Sequence, residues 1–527
     1  MQMNRLIVLS AGIALASGVQ AAPASSSALD RPNGRPPSAT VASHPSTAAD
    51  TLPPGGIATP ENGWLRGDLH FHTNYSDDAL EQGGDWVGPA LRIAEYYDDP
   101  IFLQAFPEYQ GNALNFIALT DHRTTEGCFD PDFKSDKLIL LCSEEFGATG
   151  HAGAHNISET ISHEPTDGRT ANEQIQWAID RTIELGGLFL SNHPAGDDDM
   201  WFWDVDGYEA TEVWNTFWTF LGPPTDESVL DGHVEEYGVE NRFIRRALRE
   251  EGRGMSGQYL AFYEGHLVAG IQLAAVGGGD RHMLVMPGQP TTYVKTDAET
   301  PEGIIAGIRE GHTFVSRSPA GPQVLLSARA QDADYLMGDV IPTTTSVTLR
   351  VHVARAGGGR LRLIAGPVDR DITRDELLAM SHLGNVLTEV NITSDDFTYE
   401  YEWAPGGEAW VYAMVLEDAD YSDLPEDVQA DLDLLKASMQ FYGMRYGQLV
   451  AALLPFLDVQ SVLLPRYCDP TTWDVNRTAC VDVDDEFMGT FHISEPVSRI
   501  LHLYRENGVI TDYAVGAISS SLMVLDP

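Results

Sequence analysis

Gly67-Asp68-Leu69-His70-Phe71-His72-Thr73-Asn74-Tyr75-Ser76-Asp77-Asp78 is the stretch on which the reading of this chain turns. Two histidines stand one residue apart behind an apolar residue. On an extended strand, residues i and i+2 face the same way, so both imidazoles can reach one point. Asp77 follows after a turn-like Asn-Tyr-Ser and adds a hard oxygen donor. Two imidazoles and a carboxylate at a strand end are the beginning of a hydrolytic metal site. The fold then depends on whether later strands bring further ligands.

They do. Asn115 to Thr120 is a buried-strand pattern that ends in Asp121-His122. Leu138 to Leu141 is another, followed by Glu144-Glu145. Gly150 to Ile157 holds His151 and His155. Ala171 to Leu185 has helical spacing and stops at Gly186-Gly187. Leu188 to Ser191 leads into Asn192-His193-Pro194, and Tyr208 to Val213 into Trp214-Asn215. Leu273 to Val276 runs into Gly277-Gly278-Gly279-Asp280-Arg281-His282. Short apolar strands therefore alternate with helical segments, and strand after strand ends in His, Asp or Glu. In parallel α/β barrels, functional residues gather at the carboxyl ends of strands. One of these histidines alone reads as an ordinary surface or core imidazole. Their joint occurrence predicts a metal centre. Spacing leaves Glu144 and Glu145 as alternatives, and likewise His151 and His155.

These segments resemble the PHP superfamily, named for polymerase and histidinol phosphatase, from Gly63 to about Ser318. The resemblance implies a distorted (β/α)7 barrel with two or three divalent metal ions, Zn, Mn or Fe. Carried over by motif, it implies His70 and His72 as paired ligands. Asp77 matches the acid of the same motif, with Asp78 where the family has glycine. His122 matches the Thr-Asp-His motif. Glu145 matches the bridging glutamate, with Glu144 as the alternative. His155 matches the next histidine, with His151 as its competitor. His193 matches Asn-His-Pro, and Asp280 and His282 match the closing Asp-x-His. Asp121 is expected to orient His122 or a metal-bound water, and Arg123 and Arg281 to hold an anionic group or a developing negative charge. For the arginines, ion pairs within a very acidic protein are the competing reading.

Gly279 to His282, Pro290 to Val294 and Ile304 to Val315 are similar to the exported carbaryl-hydrolase-like branch of that superfamily, which carries a β-sandwich after the barrel. Val324 to Leu326, Ser346 to Val353, Leu361 to Ile364 and Ala409 to Leu416 read as sandwich strands, and Ala514 to Leu525 resembles the last one. The expected organisation is a signal peptide over 1–22, a disordered linker over 23–60, and the barrel over 61–320. A β-sandwich then spans 321–419 plus 512–527 and carries a mainly helical insertion at 420–511.

Composition narrows the partners. Seventy-eight acidic against 32 basic residues give a formal charge of −46. No basic stripe exists to replace phosphate counterions, which excludes nucleic acid as a partner and disfavours anionic membrane surfaces. No segment after the N-terminus has the length and apolarity of a membrane span: Leu449 to Leu464 is interrupted by Pro455, Asp458 and Gln460. Met1 to Arg5 followed by the apolar run Leu6 to Val19 and the small residues Ala21 and Ala22 reads as an export signal, implying a periplasmic or secreted protein. In that compartment the four cysteines fall into two local disulfides, Cys128–Cys142 and Cys468–Cys480.

The chemistry expected of such a centre is ester hydrolysis. Ions a few ångströms apart acidify a bridging water to hydroxide near neutral pH, and one ion polarises the substrate's P=O or C=O. Gly252 to Gly257 contains Gly-x-Ser-like material but lacks the strand–turn–helix setting of a nucleophile elbow. A small-molecule phosphoester is the first expectation. A carbamate or carboxylic ester is the alternative, favoured by the aromatic run Trp201, Phe202, Trp203, Trp214, Phe217, Trp218 and Phe220. A non-catalytic exported binding protein is a third reading, against which the nine candidate ligands speak.

Overall fold

Local sequence sets up a mixed α/β architecture. The computed structural model describes residues 58–76, 79–80, 84–100, 103, 109–147, 151–161, 169–194, 205–215, 255–282, 287–342, 345–373, 376–377, 380, 383–417 and 514–526. The first elements are β1 (Trp64–Asp68), α1 (Val87–Ala94), β2 (Phe116–Leu119), β3 (Ile139–Gly147) and β4 (His151–His155). Next come α2 (Ala171–Glu184), β5 (Leu188–Ser191), β6 (Ala210–Asn215), α3 (Met255–Val268), β7 (Ala274–Gly278), β8 (Thr291–Lys295), α4 (Pro301–Arg309) and β9 (Thr313–Ser316). Helix α2 starts where a capping box forms: Thr170 accepts from the Glu173 amide and the Glu173 side chain reaches back to the Thr170 amide.

The strands lie in the order β9-β8-β1-β2-β3-β4-β5-β6-β7 within one sheet. β1 pairs with β2, β2 with β3, β5 with β6 and β6 with β7 in parallel. Thr292 on β8 accepts from the Gly277 amide and donates to the Gly277 carbonyl on β7, both at 2.8 Å, tying the far end of the run back towards β1. β1, β2, β5, β6 and β7 are buried at every residue, enclosed on both faces.

The parallel order is broken at β8 and at β4: β8 pairs antiparallel with β1 and β9. β4 pairs antiparallel with both β3 and β5. Only three residues, 148–150, separate β3 from β4. A parallel crossover needs a dozen or more residues, so a link this short forces a hairpin-like return.

The C-terminal half is all β: β10 (Gln323–Ala330), β11 (Ala333–Leu336), β12 (Val340–Pro342), β13 (Val347–Ala354), β14 (Arg360–Pro367), β15 (Asn385–Asn391), β16 (Asp396–Trp403), β17 (Ala409–Glu417), β18 (Ala514–Ser519) and β19 (Leu522–Leu525). One sheet runs β11-β10-β13-β16. In β13 the buried residues Val347, Leu349, Val351 and Val353 alternate, and they share one apolar core with Leu361, Leu363, Val411, Ala413 and Val415 of β14 and β17. The segment Ala514 to Leu525, expected as one strand, is two. β18 pairs with β9 and β17, whereas β19 pairs with β12 and β17. Through β9–β18 the sheet continues unbroken from the N-terminal strands into the C-terminal half. The expected signal peptide, most of the linker, the insertion at 420–511 and the pair Cys468–Cys480 lie outside the described residues. Cys128 and Cys142 are joined as expected.

Candidate metal centre

Two short ladders beyond the strand ends assemble the site. His70-Phe71-His72 continues β1 and lies parallel to Asp280-Arg281-His282, which follows β7. Phe71 and Arg281 form a bridge, His72 N donates to Arg281 O, and Asp280 N donates to His70 O, both at 2.9 Å. Alternation then puts His70, His72, Asp280 and His282 on one side and Phe71 and Arg281 on the other. The second ladder joins His122 to Glu145: Glu145 N donates to Asp121 O at 3.1 Å and Arg123 N to Glu145 O at 3.0 Å.

Glu145 is the hub. One of its oxygens lies 3.2 Å from His70 Nε2, 3.2 Å from His151 Nδ1 and 3.1 Å from His193 Nε2. The other lies 3.3 Å from His72 Nε2 and 3.0 Å from His122 Nδ1. Asp280 Oδ1 stands 3.3 Å from His70 Nε2 and 3.2 Å from His72 Nε2. Three overlapping groups keep their donor atoms within 4.8 Å of one another: His70, His72, Glu145 and Asp280; His122, Glu145 and His151; His72, His122 and His282.

The donor set suits cations. His70 Nδ1 donates to Glu212 Oε1 at 2.9 Å, so Nε2 is the nitrogen it turns towards the centre. Ser76 Oγ gives its proton to Asp121 Oδ1 and accepts from the His122 amide, so it accepts from His72 Nδ1 as well, which turns a second Nε2 the same way. These two nitrogens face each other at 3.1 Å. Glu145 Oε2 and Asp280 Oδ1 are buried and make no hydrogen bond of proper geometry. Acceptors thus converge on shared points, which is the arrangement a cation satisfies and hydrogen bonding does not.

Electrostatics agree. Burial opposes charging His70, yet the carboxylates of Asp280, Glu145 and Glu212 hold its pKa well above the usual imidazole range. His72 is likewise pushed up to about 9, burial being overcome by Asp280 and Glu145. Burial would raise Glu145 and Asp280, but His70 and its neighbours pull both below the ordinary carboxylate range. The pocket therefore demands positive charge.

The alternatives that spacing left open separate here. Glu144 turns away and accepts from the Ile161 amide at 3.2 Å. His155 bonds Ser143 Oγ through Nδ1 at 3.1 Å and belongs to none of the three groups, in contrast to His151. Burial holds the His155 pKa down at about 3. Asp77 lies outside the described residues, as do all the aromatic-run residues except Trp214, which packs into the core. Asp121 accepts from Thr73 N, Thr73 Oγ1 and Ser76 Oγ, so it holds the loop after His72, and Ser76 links it to the His122 amide. Arg123 is exposed, with a left-handed backbone (φ 57). Arg281 points away from the ligands to Asp85 and lies over the Phe71 ring.

Sequence reasoning missed the supports. Asp68 accepts from the amides of His70, Gly279 and Gly288; burial pushes its pKa up to about 6 against those three bonds. Asn192 donates to Glu145 Oε1 at 2.9 Å. Glu212 joins His70 to His193 and Asn215. The one signal in sequence was the run Gly277-Gly278-Gly279. A Cβ on Gly278 would meet Glu212 Oε1 at 2.3 Å, and one on Gly279 would meet Asp68 Oδ2 at 2.6 Å. These glycines leave room for two buried carboxylates.

No family profile and no curated protein matches the chain. Among solved structures, a two-domain protein from Bacteroides vulgatus containing a predicted PHP-like metal-dependent phosphoesterase is similar at 14% identity, over 67% of this chain and 90% of that one, with a TM-score of 0.29. PsfC from Pseudomonas syringae is similar at 11% identity, over 47% of this chain and 90% of its own, with a TM-score of 0.26. Likenesses this remote carry no argument, and the chemistry of the centre rests on its own residues.

Proposed function

We propose that this chain is an exported, metal-dependent hydrolase of the PHP type that cleaves ester bonds in a small molecule, phosphoesters first. The carrying observation is the convergence of imidazole nitrogens and carboxylate oxygens around Glu145, within 4.8 Å of one another in each group. His70, His72, Glu145 and Asp280 would hold one ion. Glu145 would share its second with His122 and His151, beside His193. His72, His122 and His282 would form a third group, to which the sequence motif assigns Asp77 as well. An imidazole nitrogen binds one ion, so the third group competes with the other two, which share only Glu145. When bound, such ions supply Lewis acidity and a water acidic enough to attack at neutral pH.

The chain's own residues do the rest. Glu212 and Ser76 fix the His70 and His72 rings, and Asp121 fixes the loop that carries Ser76. His122 and His151 keep 21% and 23% of their side chains exposed, whereas His70, His72 and His193 are sealed, so substrate reaches the centre from the His122–His151 side. A carbamate or carboxylic ester is the second reading. It is favoured by Arg281, the cation expected to meet an anionic substrate, being committed to Asp85. The layout assigned to the chain is a distorted (β/α)7 barrel at 61–320 followed by the sandwich, with export supported by the Cys128–Cys142 disulfide. Among the described residues no helix is long and apolar enough to cross a membrane.

The test is metal analysis joined to turnover of p-nitrophenyl phosphate, bis-p-nitrophenyl phosphate, aryl acetates and aryl N-methylcarbamates, with Mn, Zn or Fe supplied separately. At least two ions per chain and hydrolysis of the phosphate esters are expected. A chain that stays metal-free in metal-replete medium sinks the reading, and turnover confined to the carbamates or acetates transfers it to the second.

A further inference from the structure

The supports of the centre converge on one side chain outside the ligand set. Glu212 sits in the middle of the apolar strand β6, and 1% of its surface is exposed. Its Oε1 accepts from His70 Nδ1 at 2.9 Å. Its Oε2 accepts from the backbone amide of His193 at 2.8 Å and from Asn215 Nδ2 at 2.9 Å. Asn215 Nδ2 also lies 3.3 Å from Asp280 Oδ2. One carboxylate thus touches His70 and His193 directly and Asp280 through Asn215. Gly278 leaves the space in which Glu212 and His70 meet, since a Cβ there would stand 2.3 Å from Glu212 Oε1 and 2.4 Å from His70 Cβ. His193 is held at φ 24 and Asp280 at φ 49, conformations L residues rarely adopt without outside restraint.

We infer that Glu212 is the positioning residue of the centre: it selects the nitrogen that His70 presents and sets the backbone of His193. All three of its partners here are donors, so only a group that accepts at both ends satisfies them. With the proton of His70 Nδ1 committed to Glu212, Nε2 is the nitrogen turned towards Glu145, Asp280 and His72. A glutamine of the same shape fails in either orientation. If its amide nitrogen faces His70, the ring must place its proton on Nε2, where a ligand is needed. If its amide nitrogen faces His193 and Asn215, it meets two other N–H groups. Outer partners of ligating histidines typically change metal affinity 10–100-fold when replaced.

The inference rests on the metal-centre reading, and its test separates the two. Metal-free wild type, Glu212→Gln and Glu212→Asp are titrated with zinc against a chelating dye, and their unfolding is followed by circular dichroism without metal. Wild type is expected to bind at least two ions. Glu212→Gln is expected to fold but to hold one of them 10–100-fold more weakly. Zinc affinity within about twofold of wild type in a folded Glu212→Gln overturns the positioning role. Should Glu212→Gln not fold, Glu212→Asp, which withdraws the carboxylate from His70 by one methylene, is read by the same criterion. A wild type that binds no zinc overturns the metal centre itself, and this inference with it.

Discussion

Arg281 and Phe71 are partners in a parallel bridge, and the Arg281 guanidinium lies 5.1 Å above the Phe71 ring while its Nη2 reaches Asp85. Alternation along both segments explains why an arginine flanked by two candidate ligands faces away from them. Its role is structural. Replacing Arg281 with Met would leave the buried Asp85 carboxylate without its cation, a change that costs about 3–5 kcal/mol when a buried pair is broken. The expected outcome is a large loss in urea stability with metal stoichiometry unchanged in the folded fraction. Retained stability with lost metal would reverse the assignment.

Glu144 and Glu145 should separate cleanly. Glu145→Gln removes the charge around which five imidazoles gather, and bound metal should fall by at least one ion per chain, with turnover abolished. Glu144→Gln weakens its bonds to the Ile161 amide, at a cost of about 1 kcal/mol, and should keep its metal. Elemental analysis of the two purified variants decides between them.

Much of this candidate centre was legible because the candidate ligands follow strands in sequence. Where legibility stopped, a missing fact about faces or side-chain direction is the reason. Choosing between Glu144 and Glu145 requires knowing which face of β3 points inward, and two adjacent residues in a buried strand give no such sign. His151 and His155 share a face and flank Gly153, the residue paired with Glu145, so neither spacing nor register chooses between them. Side-chain direction does: His151 Nδ1 lies 3.2 Å from Glu145, whereas His155 Nδ1 bonds Ser143 Oγ. Glu212 was silent because an acid within Ala210–Asn215 reads as a solvent-facing position, and only the fold reveals its three donors. The antiparallel entry of β4 was readable in principle from its three-residue link to β3.

The two histidines yield a second pair of variants. His151→Ala removes a donor from the group formed with His122 and Glu145, so metal affinity should drop with little change in metal-free stability. His155→Ala leaves a cavity beside Ser143 and should cost about 2–4 kcal/mol of stability, as truncation of a large buried side chain does. Chemical denaturation beside zinc titration distinguishes them, and equal metal loss in both would place His155 among the ligands.

Cys128 follows His122 by six residues, and Cys142 precedes Glu145 by three, so their disulfide staples the loop after one candidate ligand to the strand carrying the other. The bond closes a sequence separation of 14 residues. A loop of that size contributes about 3 kcal/mol through the unfolded chain. The double variant Cys128→Ser, Cys142→Ser should unfold at correspondingly lower urea concentration, and an unchanged midpoint would contradict this.

Far from the metal centre, His266 on α3 sets an acid limit on the fold. Its Nδ1 donates to Phe262 O and its Nε2 accepts from the Tyr208 hydroxyl, so the ring is neutral. Burial depresses its pKa from 6.5 to about 4, against the pull of the Phe262 carbonyl. Between those values the unfolded chain binds a proton that the folded chain does not. Stability from this group is therefore complete above pH 6.5 and is lost as pH falls towards 4, by about 3 kcal/mol in all. His266→Gln keeps an acceptor for Tyr208 but cannot titrate. The difference in unfolding free energy between wild type and this variant should thus shrink in favour of the variant over that window. A difference that stays flat from pH 7 to pH 4 would mean that His266 takes up its proton without cost in the folded chain.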